Sequence, residues 1–193
     1  MDMEKIFSEG IRAFIPVYLD MKGNCTLLLT GLGKEYEMER TVKTILNLIS
    51  QFYLVDLKAT KKYYGNLLNV KNLIPIPFNV DDVFIPVKVR KPVCKNDGSF
   101  GYVNINYIDR VYRKENKTLI QLTDGYIIES LSSIDTVNKH VKNGHIVKRL
   151  VKERENITVI RESSLLNEYE KPATKQDIAL LINEILKIQA NLK

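Results

Sequence analysis

The sequence predicts an α+β fold, mainly antiparallel sheet and hairpins, with flanking helices and a C-terminal amphipathic helix. Three observations predict it. Short runs of β-branched and aromatic residues recur through the first 130 positions, separated by turn signals. At residues 39–55 the apolar period switches from two to three-and-four. The last twenty residues carry aliphatic side chains at regular helical spacing. With 193 residues and 45% hydrophobic composition, the chain has material for one sizeable core and an appendage.

The elements follow in order. IRAFIPVY (11–18) reads as a strand, DMKG (20–23) as a turn and NCTLLLTG (24–31) as the returning strand. In residues 39–55, Val42, Ile45, Leu46, Ile49 and Phe52 form the stripe of an amphipathic helix. A second short helix is expected over 55–64, closed by Gly65 and presenting Lys58, Lys61 and Lys62 together. LIPIPF (73–78) carries two prolines, so it reads as an extended edge segment. Three strands are expected next: VFIPVKVR, FGYVNINYIDRVYR and KTLIQLTDGYIIES. KNDG (95–98) and TDG (123–125) mark hairpin turns between them. Residues 132–143 read as a helix capped by Ser132 or Ser133 and stopped at Gly144; 145–160 is open between helix and strand. Polar residues 161–173 read as a linker. Thr174 and Asp177 have capping-box spacing before a final helix over 174–193. There Ile178, Leu181, Ile185, Ile188 and Leu192 repeat at 3, 4, 3 and 4, an a/d seam. About two heptads are marginal alone, so the seam is read as an oligomerisation surface, against a helix docked on its own domain.

Composition narrows the functional classes. No stretch of about 18 apolar residues occurs and the first ten residues are acidic, so neither a membrane span nor a signal peptide is expected. A cytoplasmic location follows as the expectation. Cys25 and Cys94 form no CxxC, and His140 and His145 miss the i, i+4 spacing of paired ligands, so no metal and no cofactor is expected. GLGKEYE (31–37) lacks the GKS or GKT of a phosphate loop. The serines lie in no GxSxG, and Asp81 and Asp82 read as a turn rather than an acid/base pair. Nothing assembles catalytic residues, and an enzyme is not expected.

Charge is the informative feature. The formal net charge is +6, yet residues 58–117 hold 12 Lys/Arg against 5 Asp/Glu, and residues 139–154 hold 6 against 1. All the excess lies in those two stretches, a pattern that points to an anionic polymer. Tyr63, Tyr64, Tyr102, Tyr107 and Tyr112 are interleaved with the first stretch, either as stacking platforms or as ordinary strand packing. Within VFIPVKVRKP, alternation sets Lys88 and Arg90 on one strand face, with Lys91 beside them. The candidate DNA contacts are Lys58, Lys61, Lys62, Lys88, Arg90, Lys91, Lys95, Arg113, Lys114 and Lys117. Replacing Lys88, Arg90 and Lys91 together is expected to abolish binding with the fold intact.

From about Leu57 to Gly144 the chain resembles the ComK family of competence transcription factors. ATKKYYGNLL (59–68), IPIPF (74–78), FIPVKVRKP (84–92), GYVNINYIDRV (101–111), KTLIQLTDGYIIE (117–129) and SIDTVNKHVKNG (133–144) follow in that family's order. The chain departs from it in having no Trp and in its C-terminal heptad helix. The resemblance implies a transcriptional regulator that binds AT-rich double-stranded DNA as a homo-oligomer, largely through the minor groove. VNINYIDRV and TLIQLTDGYIIES also resemble the C-terminal half of LytTR DNA-binding domains. The implied organisation is a DNA-binding domain over 1–160, a linker over 161–173 and the helix over 174–193. The rival from another class is an assembly protein acting through that helix.

Overall fold

The computed structural model describes residues 3–93, 97–169 and 174–191, without the side chains of 157–169, 177, 190 and 191. It has the expected class: helices together with antiparallel sheets, and a C-terminal helix. The chain divides into two units, residues 1–152 and 153–193.

The first unit contains two sheets. The larger is built from β1 (Ile11–Leu19), β2 (Gly23–Thr30), β3 (Glu35–Met38), β4 (Ile76–Pro77), β5 (Val83–Lys88) and β6 (Phe100–Asn104). Its order is β3-β2-β1-β6-β5-β4, and every pairing is antiparallel. The smaller sheet is the meander β7 (Ile108–Lys114), β8 (Lys117–Leu122) and β9 (Ile127–Ser130). FGYVNINYIDRVYR is therefore not one strand. It breaks at a 3-10 turn over Ile105–Tyr107, where the Asn104 side chain accepts from the Asn106 N–H, and its halves enter different sheets. The similar segments AFIPV and VFIPV are β1 and β5, the two neighbours of β6, and Phe14 and Phe84 meet at 5.4 Å.

Alternation sorts the larger sheet into two buried clusters. One holds Phe14, Leu28, Ile76 and Phe84, together with Ile6 and Phe7 of α1 (Met3–Ser8) and Val42, Ile45, Leu46 and Ile49 of α2 (Val42–Phe52). The other holds Ala13, Leu29, Val83, Ile85, Val87 and Val103, with Ile120, Leu122 and Ile128 of the smaller sheet. Each buried Val, Leu, Ile or Phe side chain contributes roughly 1.5–3 kcal/mol. α2 starts where Thr41 Oγ1 accepts from the Thr44 N–H; Val42, Ile45, Leu46 and Ile49 of the expected stripe are buried, whereas Phe52 is exposed and Ser50 is buried in its stead.

Two glycines expected to end helices lie inside them. α3 runs Leu57–Leu68 and ends at Asn69, which takes the left-handed conformation at φ 51°. α4 runs Ile134–Tyr169, through Gly144 and through 145–160. The reason is close packing: a Cβ on Gly65 would sit 2.8 Å from Ile74 Cδ1, and one on Gly144 would sit 2.7 Å from Ile105 Cγ2. Val137 and Val147 are buried on the same stripe of α4 as Gly144. Residues 161–169, expected as linker, are helical, and 170–173 lie outside the described residues.

β5 carries Pro86 within it and is followed by Pro92, yet it is not an edge strand. β4 is the sheet edge, as expected for LIPIPF, and β5 lies inside it. β4 covers only Val83 and Phe84 of β5. Beyond them, the Pro86 carbonyl lies 2.8 Å from His140 Nδ1 of α4, and the Lys88 carbonyl accepts from the Leu131 N–H at 2.7 Å. Pro86 thus sits where a helix and a loop, rather than a strand, meet the backbone.

In the second unit, α5 (Lys175–Asn191) is the C-terminal helix. Among the described residues no helix is long and apolar enough to cross a membrane.

Candidate nucleic-acid interface

The basic residues fall into three local settings with different chemistry. The first is α3. Asp56 caps it, accepting from the Lys58 and Ala59 N–H groups at 2.7 and 3.0 Å. Lys58, Lys61 and Lys62 are spaced i, i+3 and i+4 along one side of the helix, and Lys61 lies one turn before the buried Tyr64 and Gly65. After the left-handed turn at Asn69 the chain folds back alongside the helix and brings Lys71 beside Lys61 and Lys62. The three lysines line a cleft of about 350 Å³ with Asn66, Asn69 and Ile74. A contiguous cleft of about 330 Å³ shares the same lysines and reaches Tyr102. Among the described residues no carboxylate lines either part. Burial lowers the Lys61 ammonium pKa below the ordinary lysine value, and no neighbouring acid opposes the shift. Tyr102 is stacked on Phe14 at 5.1 Å, and burial raises its phenol pKa.

The second setting is the end of β5. Pro86 is opposite Tyr102, and Lys88 is opposite Phe100. Strand alternation therefore sets Lys88 on the Tyr102 face of the sheet, diagonally adjacent to that tyrosine. Lys88 is half-buried and Lys91 exposed. Arg90 differs from both. Its Nη2 donates to Asn24 Oδ1 at 2.6 Å, its Nε donates to the Gly98 carbonyl at 2.9 Å, and its guanidinium lies 4.6 Å from the centroid of the Tyr18 ring. Arg90 thus ties the β5 end to the β1–β2 hairpin. Replacing it together with Lys88 and Lys91 would disturb the fold, contrary to the expectation from sequence.

The third setting is the β7–β8 hairpin with Arg113, Lys114 and Lys117. Lys117 Nζ pairs with Glu129 at 2.8 Å, which raises its pKa, and Arg113 Nη2 donates to Asn116 Oδ1 at 3.2 Å. The Ser130 hydroxyl donates to the Lys88 carbonyl at 3.3 Å, and Ser130 is opposite Thr118, which connects this sheet to the β5 end. Lys95 lies outside the described residues.

Lys71 is the residue that the sequence reading missed. It stands alone between Asn69 and Leu73, with no periodic partner to mark it; only the turn at Asn69 brings it back to α3. Of the tyrosines, Tyr63 is exposed on α3, Tyr64 is buried, and Tyr112 lies 5.2 Å from the Arg110 guanidinium. Asp82 belongs to a turn network: it accepts from the Tyr53 hydroxyl at 2.8 Å and from Asn79 Nδ2 at 3.0 Å. Among the described residues no group of three or more His, Cys, Asp or Glu side chains could hold a metal ion.

On α5, Ile178, Leu181, Ile185 and Ile188 are all exposed, and so are Leu180, Ile182 and Leu186. The apolar surface of the helix is broader than the a/d seam. Leu192 lies outside the described residues. No family model, curated protein or solved structure matches the chain.

Proposed function

We propose that this protein is a non-enzymatic, cytoplasmic DNA-binding transcriptional regulator, related to the ComK competence factors, that binds AT-rich duplexes as a homo-oligomer. The observation that carries the reading is the lysine cluster of α3 and its loop, in a cleft that reaches Tyr102 and that no carboxylate lines among the described residues. A polyanion satisfies such a surface by charge neutralisation and counterion release. Narrow A-tract minor grooves concentrate negative potential and favour lysine at their edges. Lys58, Lys91, Arg113, Lys114 and Lys117 add phosphate contacts around that centre, and the exposed aliphatic side chains of α5 join copies on adjacent half-sites.

Fluorescence anisotropy on AT-rich and GC-rich duplexes at two salt concentrations tests the reading. With about six phosphates neutralised, log K is expected to fall against log salt with a slope near −5. Absence of binding at low salt removes the proposal, and equal affinity for both duplexes removes the AT-rich specificity. A second reading, an assembly protein acting through α5, is favoured by the seven exposed aliphatic side chains of that helix. Deleting 174–193 separates the two. The regulator keeps monomer affinity for DNA and loses cooperativity; the assembly protein loses its function outright.

A further inference from the structure

The geometry points to the cleft between α3 and the loop 69–74 as a phosphate-anchoring site that takes one backbone phosphodiester of the bound DNA. This rests on the DNA-binding reading for its occupant, and on the cleft itself for the anion chemistry.

Three cations converge there from two directions. Lys61 and Lys62 come from the helix and Lys71 from the returning loop, so the ammonium groups flank a concavity instead of lying along a ridge. Asn66, Asn69 and Asn72 also line it, and amide N–H₂ groups are donors suited to phosphoryl oxygens. Ile74, Leu73 and the Tyr102 ring give the cleft an apolar side. A charge in such a setting is worth more to an incoming anion than the same charge in open solvent.

Lys61 supplies the independent sign. Its side chain is half-buried, its charge is opposed by desolvation, and it pairs with no carboxylate among the described residues. Three other basic side chains near the sheet have protein partners: Arg90 has Asn24, Arg113 has Asn116 and Lys117 has Glu129. The competing account is that the lysine stems cover Ile74 and Leu73 while their heads offset the C-terminal dipole of α3. That account requires no anion, and an anion titration distinguishes the two.

Lysine side-chain NMR of the full-length protein is the test, titrating inorganic phosphate against chloride at matched ionic strength. The Lys61, Lys62 and Lys71 Nζ signals are expected to shift saturably with phosphate, and the Lys61 titration midpoint to move up toward the ordinary lysine value. Lys58 and Lys114 are expected to follow ionic strength alone. An AT-rich duplex should then displace the phosphate, and Lys61→Gln should abolish the saturable response while leaving the circular dichroism spectrum unchanged. If the three cleft lysines respond to phosphate no differently from Lys114, the site does not exist, even where anisotropy still finds DNA binding. If phosphate binds saturably and a duplex that binds the protein leaves it in place, the nucleic-acid occupant is overturned. If phosphate binds and no duplex binds at all, the DNA-binding reading fails and the cleft serves a small phosphorylated ligand.

Discussion

Lys61 on α3 and Arg90 beyond β5 belong to the same basic stretch of sequence, yet the fold uses them in opposite ways. Arg90 reaches across to the β1–β2 hairpin, with a hydrogen bond to Asn24, another to the Gly98 carbonyl and a Tyr18 ring beneath it. Lys61 is half-buried among other lysines and meets no acid among the described residues. The first is a cation held by protein partners through Nε and Nη2, although its Nη1 is buried with no hydrogen-bond partner. The second is a cation desolvated by the protein and left for something else to satisfy. A count of positive charge does not separate them, because the difference lies in the partners the fold brings near.

The comparison breaks most readily at Arg90. Arg90→Ala is expected to destabilise the protein by about 2 kcal/mol, through the lost charged hydrogen bonds and ring contact. Denaturant unfolding would show this as a lower midpoint at unchanged slope. Any change in DNA affinity of the still-folded variant should be small, and a large one would place Arg90 in the interface.

A smaller effect is expected from Lys88→Gln with Lys91→Gln. These side chains carry no partner that the fold depends on, so stability should hold within about 0.5 kcal/mol. The salt slope of DNA binding should become shallower by about 1 to 2, one per lost phosphate contact. Unfolding and anisotropy on one preparation check both halves.

The smallest expected effect concerns pH. Burial lowers the Lys61 pKa, so the folded protein holds fewer protons than the unfolded chain between that value and 10.5. Stability from this group therefore rises slightly as pH increases through that window, because the penalty on the charged form disappears. DNA affinity moves the other way, since the uncharged amine no longer attracts phosphate. Lys61→Gln should remove both trends, and a titration from neutral pH to 10.5 would show whether it does.

Much of the fold was legible. Alternating runs and turn residues located β1, β2, β5 and β8, and the stripe from Val42 to Phe52 located α2. The two short elements α1 and β3 were missed, since six and four residues carry too little periodicity to register. Gly65 and Gly144 misled for one physical reason. A glycine that lets a helix approach a neighbouring segment closely reads in sequence like a glycine that ends a helix. The site was legible to the level of its helix, because Lys58, Lys61 and Lys62 share a face by spacing alone. Lys71 and the internal role of Arg90 were not, because both depend on contacts made across turns.

The most direct measurement compares two variants on one AT-rich duplex across a range of salt. In Lys61→Gln with Lys62→Gln and Lys71→Gln, three anchoring charges are gone, and the slope of log K against log salt is expected to become shallower by about 3. Lys88→Gln with Lys91→Gln should lose less, in slope and in affinity. A cleft variant that keeps the wild-type slope while the β5 variant loses most of it would contradict the account and return the interface to the strand end.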